Sequence, residues 1–193
     1  MKTHWNPGTL INPLPVVMVS CGATAEEYNI VTVAWTGTTC SNPPMCYIGL
    51  RPERHSYDII KRNKSFVINL TTKKLSFATD WCGVKSGRQF NKFSEMKLIP
   101  IPAAKVSAPV IAESPVNIEC VVKDIIEQGT HHLFLSEVVN IQVDTNFIDA
   151  KTGAFDISKT GLIAYANGFY YELGAAIGKF GFSVMKKKKK RKT

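Results

Sequence analysis

Apolar and β-branched residues fall in short alternating runs along the first third of the chain, and such runs predict strands rather than long helices. Pro15–Cys21 is one run, closed by Gly22, and Asn29–Thr36 (NIVTVAWT) is another. Ser41-Asn42-Pro43-Pro44 predicts a turn into a third strand, Met45–Leu50, which Arg51-Pro52 ends. Ser56–Arg62 has helical spacing with Tyr57 and Ile60 on one face, and Ser65–Leu70 returns to strand. Leu75–Cys82 predicts a second helix. Gly83 and Gly87 then open a loop before a short helical segment around Phe90–Met96.

Pro100, Pro102 and Pro109 predict an extended connection without regular structure. Val116–Ile126 and Leu133–Val143 are long alternating runs on either side of a hairpin turn at Glu127–Thr130. After Asp156, LIAYANGFYYELG places two aromatic-rich segments on either side of Asn167-Gly168, a strong turn dipeptide. Six or seven short strands predict a mainly β, closed antiparallel barrel with a few short helices, in preference to βαβ units. No G-x-G-x-x-G follows a strand and no G-x-x-x-x-G-K-[ST] occurs, which argues against a dinucleotide-binding Rossmann fold and a P-loop.

Charge changes this picture only at one end. The chain of 193 residues carries +9, but Lys186–Lys192 holds seven of its 24 basic residues and no acid. The remaining 17 basic and 15 acidic residues leave the body at +2. The basic run repels itself and predicts a disordered tail at 186–193. A nucleic-acid-binding role would rest on that tail alone, since no aromatic-and-basic stripe runs through the body.

Five cysteines (Cys21, Cys40, Cys46, Cys82, Cys120) are an odd number without C-x-x-C spacing, which points to reduced thiols in a cytoplasmic protein. Cys40, Cys46, His131 and His132 lack a recognisable zinc-ligand spacing, so no metal is expected. Prolines interrupt the charge-free stretches Thr3–Ala25 and Tyr28–Leu50, so neither reads as a membrane helix.

Two segments could hold an anion. In RPERHSYD (Arg51–Asp58), Ser56 stands at a helix start, where free N–H groups attract negative charge, and Arg51 and Arg54 add guanidinium forks. The plainer alternative makes Ser56 an N-cap beside solvated arginines. In GVKSGRQFNK, Lys85, Ser86, Gly87, Arg88 and Lys92 cluster in a second phosphate-type loop. A third segment, Val31–Cys40 (VTVAWTGTTC), would offer backbone amides and small hydroxyls to a planar heteroaromatic ring. His131-His132 reads as solvent-facing at a hairpin turn.

The runs NIVTVAWTGTTCSNPPMCYIGLRPERHSYDIIKRNKSFVINL, ATDWCGVKSGRQFNKF and GLIAYANGFYYELG together resemble the flavoredoxin and flavin reductase-like family, from about Pro15 to Met185. The resemblance implies a six-stranded antiparallel Greek-key split barrel over residues 1–185, forming a homodimer with non-covalent FMN near the subunit interface. It places Ala34, Trp35, Thr36, Gly37 and Thr38 against the flavin. Arg51, His55 and Ser56 would serve its phosphate and ribityl end, and Asn69 would line the site. Ser86, Gly87, Arg88 and Lys92 would face phosphate, while Tyr165 and Tyr171 would cover the ring.

Flavin chemistry asks little of the protein in acids or bases, so no catalytic side chain is assigned. The leading expectation is an oxidoreductase in which NAD(P)H, a transient nucleotide donor, reduces FMN for an acceptor. The alternative is a flavoredoxin-type electron carrier with tightly bound FMN and a redox-protein partner.

Overall fold

The computed structural model describes residues 1–185; the basic run 186–193, and with it the expectation of a disordered tail, lies outside them. The strands are β1 (Leu14–Pro15), β2 (Val17–Cys21), β3 (Asn29–Val33), β4 (Thr36–Ser41), β5 (Pro44–Leu50) and β6 (Ser65–Leu70). They continue as β7 (Pro100–Ile101), β8 (Val110–Ile111), β9 (Val116–Gln128), β10 (His131–Val143), β11 (Ile163–Ala166) and β12 (Phe169–Glu172). Three α-helices intervene: α1 (His55–Asn63), α2 (Ser76–Val84) and α3 (Lys92–Glu95).

Seven strands, rather than the six that the resemblance implies, make one antiparallel sheet in the order β3-β2-β6-β9-β10-β5-β4, because Asn29–Thr36 divides between two strands at opposite edges. Its two edge strands, β3 and β4, are consecutive in the chain. The bend at Ala34-Trp35 therefore carries the backbone from one edge of the sheet to the other, and the sheet is a split barrel. The sequence reads Asn29–Thr36 as one strand, whereas here it is the end of one and the start of the next. The bend is fixed on β5 by Gly49 N–H donating to Trp35 O at 2.7 Å. Gly49 permits this approach, because a Cβ there would lie 3.3 Å from Trp35 Cβ and O.

Burial explains why β2 is apolar on both faces. Val17, Val19 and Val31 point into the main core with Ile48, Ile60, Phe66 and Phe134. Met18 and Ile30 point the other way, onto Ala78 and Cys82 of α2 and Phe93 of α3. A strand covered on both sides loses the alternation of a half-exposed one. β1 is separate from β2 and pairs with β11 beside β12, so the predicted run Pro15–Cys21 is divided between two sheets.

The proline-rich connection is less irregular than its sequence suggests. β7 and β8 form a minimal ladder within it. The buried Glu119 carboxylate ties it to β9, with Oε2 accepting from Lys105 N–H at 2.6 Å and Oε1 from Ala104 N–H at 3.1 Å.

Candidate functional site

Two hollows open side by side along β3 and meet at Arg51 and Arg54. The larger, of ≈ 400 Å³, lies between the start of α1 and the loop joining α2 to α3. The smaller, of ≈ 200 Å³, runs along Val31–Trp35.

The floor of the larger hollow is polar and buried. α1 begins at His55 behind Arg54, which makes no side-chain cap bond. Arg54 Nη1 instead donates to Gly83 O at 2.9 Å, which ties the start of α1 to the end of α2. Ser56 therefore sits inside the first turn and is not the N-cap. Its Oγ accepts from Asn29 Nδ2 at 2.8 Å, which leaves its hydroxyl proton to point elsewhere. Tyr57 N–H donates to Arg54 O at 2.9 Å, and with no side-chain cap the His55 and Ser56 N–H groups are available to an anion.

Across the hollow, Ser86 and Gly87 bring the backbone close to Asn29. A Cβ on Gly87 would fall 2.2 Å from Asn29 Oδ1, so the approach itself requires glycine there. Lys92, the first residue of α3, reaches in from below and is only 3% exposed. Its Nζ donates to Cys82 O at 2.7 Å, one of the three bonds an ammonium can make. Burial, chiefly, lowers the Lys92 pKa to about 8. His55 also lines this hollow; burial first, then Arg88 and Lys92, holds its pKa below the ordinary value and favours neutral imidazole.

The smaller hollow is an aromatic slot. His131 lies against Trp35 with ring centroids 4.0 Å apart and planes tilted by 44°, and Tyr165 of β11 closes the side. Burial, then the Arg51 charge, lowers the His131 pKa. His131 is thus not the solvent-facing turn residue read from the sequence. His132 is bound as well, through Nδ1 to the Tyr57 hydroxyl at 2.7 Å.

Of the residues picked out by sequence, Arg51, His55, Ser56, Ser86, Gly87 and Lys92 line the larger hollow. Ala34, Trp35 and Tyr165 line the smaller, where Arg51 reappears. The rest lie elsewhere. Thr36 Oγ1 donates to Tyr47 O, Gly37 lies against the Tyr47 ring, and Thr38 pairs with Cys46 within β4–β5. Arg88 turns its Nη1 to Glu53 O and borders a neighbouring pocket on the far side of Gly87. Tyr171 faces Phe77 and Asp80 around a separate hollow.

Asn69 is a core residue. Its Nδ2 donates to Met18 O, Ser20 Oγ and Val67 O, and its Oδ1 accepts from Ile111 N–H and Asn117 Nδ2. No polar group on it is left for a ligand. The possible zinc ligands do not converge either. Cys40 bonds Asn42 O, Cys46 faces Cys120 at 3.5 Å, and His132 is held by Tyr57.

Asn29, Glu53, Arg54 and Lys85 also line the larger hollow and His131 the smaller; the sequence reading offered Arg54 and Lys85 to an anion but picked out neither Asn29, Glu53 nor His131 for the site. Glu53 stood in the highlighted RPERHS segment, and its carboxylate pairs with Arg51. The other placements depend on tertiary contacts.

A family model described as "Flavin reductase like domain" matches residues 10–174. Among solved structures, the chain is similar to the flavoredoxin of Desulfovibrio vulgaris (Miyazaki F), with TM-score 0.88 and 29% identity, covering 96% of this chain and 100% of that one. It is also similar to a flavoredoxin from Methanosarcina acetivorans, with TM-score 0.84 and 25% identity over 96% and 100% of the two chains. An uncharacterized protein of Archaeoglobus fulgidus is 28% identical over 139 residues, 72% of this chain and 77% of that one.

Proposed function

This chain belongs to the flavin reductase-like domain family, and from that premise we propose that it binds FMN non-covalently in the paired hollows and transfers electrons through it. The observation that carries this reading is the buried Lys92 ammonium with bonds to spare, lining the larger hollow together with His55 and Ser56 at the uncapped start of α1. The fit is good in both chemistry and shape. Lys92, Ser56, Ser86 and the Gly87 backbone form a cradle for a phosphate dianion. Arg51 and Arg54 stand where the hollows join and would serve the ribityl chain. Val31–Trp35, His131 and Tyr165 make a flat, partly aromatic slot for the ring system.

When bound, FMN supplies the redox chemistry itself. The protein's part is to hold the phosphate, orient the ring along the β3 edge and limit solvent with Trp35, His131 and Tyr165. A neutral His55 adds no charge to the site and can donate or accept a hydrogen bond at the phosphate end. We assign no general acid or base.

A nicotinamide nucleotide is the proposed electron donor. The full-length similarity to two flavoredoxins favours a second reading, an electron carrier that exchanges with a protein partner. A homodimer follows from the same family reading. Exposed Trp5, Leu10 and Ile11 lie on the N-terminal arm, and Ile11 borders an apolar hollow of ≈ 440 Å³ with Trp35, Tyr47 and Leu133 that a second copy would cover. The free cysteines agree with a cytoplasmic setting.

The purified protein should show a flavin absorption spectrum that bleaches anaerobically on adding NADH or NADPH. Indifference to both nucleotides selects the carrier, and absence of flavin after FMN addition contradicts both readings. Gly87→Ala should weaken FMN binding about tenfold, since a Cβ pushes Asn29 off Ser56 at a cost of about one hydrogen bond. Equal FMN titrations of variant and parent would remove Gly87 from the cradle.

A further inference from the structure

Residues 173–185 contain a single charged side chain, Lys179, yet they lie open to solvent. Ile177 is 97% exposed and Phe180 103%, with Leu173, Phe182, Val184 and Met185 also exposed. The segment has a local shape of its own. Phe182 lies over Gly178, where a Cβ would come within 2.7 Å of its ring, and Phe182 N–H donates to Lys179 O at 2.8 Å. This turn leaves Phe180 and Val184 on its outside. Directly after Met185, Lys186–Lys192 brings seven positive charges without an acid, whereas the rest of the chain carries only +2.

We propose that residues 177–192 attach the protein peripherally to an anionic lipid bilayer, with the apolar turn entering the interface and the basic run pairing with headgroups. Each half is weak alone: an exposed apolar turn binds a bilayer marginally, and a polybasic run is screened by salt. Together they provide the two signals that durable surface attachment needs. The charge complementarity points to an anionic surface, and the aliphatic side chains Ile177, Val184 and Met185 favour a bilayer over nucleic acid, which would use charge and aromatic stacking. Such attachment needs no membrane-spanning helix, and no helix among the described residues is long and apolar enough to be one.

The test is flotation of the FMN-loaded full chain with phosphatidylcholine vesicles, with and without phosphatidylglycerol. The protein should float only with the anionic vesicles. Raising salt from about 0.1 M to about 1 M should reduce the bound fraction at least about fivefold. Phe180→Ser combined with Val184→Ser keeps every charge and should still lower the bound fraction severalfold, with flavin content and elution volume unchanged. Replacing Lys186–Lys190 with glutamine should abolish flotation.

No flotation, or equal flotation with neutral vesicles, overturns the proposal. So does unchanged binding by the Phe180/Val184 variant combined with release by a single-stranded polynucleotide, which would assign the tail to nucleic acid. A shift of that variant to a smaller species, without loss of flotation, would assign the apolar turn to a second copy of the chain. None of these outcomes bears on flavin content, so the inference can fail while the flavin reading stands.

Discussion

Replacing Lys92 with methionine is expected to weaken FMN binding between about 10- and 100-fold, the worth of one or two hydrogen bonds to a charged group. The ligand-free chain should become no less stable, because the ammonium is buried in the fold with a single partner, Cys82 O. The pH dependence separates these two effects. Burial lowers the Lys92 pKa from its ordinary 10.5 to about 8, so the folded, ligand-free protein releases this proton before the unfolded chain does. Below about 8 both states are charged and the fold bears the full cost of burying the ammonium. That cost is relieved as pH rises from about 8 to about 10.5, so Lys92 adds a rise in stability there that the methionine variant lacks.

FMN affinity moves the opposite way. A bound phosphate favours the charged amine, so affinity should fall as pH rises through about 8 in the parent and much less in the variant. Fluorescence titrations with FMN at several pH values, alongside urea melts, check both. A variant that binds FMN as tightly as its parent would remove Lys92 from the site.

Asn69→Ala is expected to destabilise the fold by about 3 kcal/mol while leaving FMN affinity of the folded protein unchanged, since it strands several buried partners. The amide holds β6 to β2 through Met18 O and Ser20 Oγ, and to β8 and β9 through Ile111 N–H and Asn117. The measurement is a urea midpoint paired with an FMN titration under native conditions. Lost FMN affinity without a lower midpoint would return Asn69 to the cofactor site.

Asn69 also shows where the sequence stops being informative. A polar residue late in an apolar strand can face a ligand or complete a buried hydrogen-bond network, and local pattern does not separate the two. The fold class was legible because runs such as Ser65–Leu70 and Val116–Ile126 have the composition and length of strands. The break at Ala34-Trp35 was not, because it depends on the seven-stranded sheet curling until its two edge strands, at opposite ends of the strand order, can be joined by two residues.

Much of the lining of the larger hollow was legible in RPERHS and KSGR, where local turn chemistry and charge coincide. Asn29 was missed because it meets Ser56 only through packing of α1 on β3. His131 was missed because the β9–β10 hairpin, pairing with β5, brings it onto a tryptophan 96 positions earlier in the chain. The β4–β5 ladder, by contrast, commits Thr36–Thr38 to β5, and they do not line the hollows.

The most direct test of the central claim, that these paired hollows hold FMN by its phosphate, is a parallel titration of the flavin-free chain with FMN and with riboflavin. Lys92, Ser56 and the Ser86–Gly87 backbone should make FMN bind at least about 100-fold more tightly, because riboflavin brings no anion to them. Equal affinities for the two flavins, or no binding of either, would contradict it.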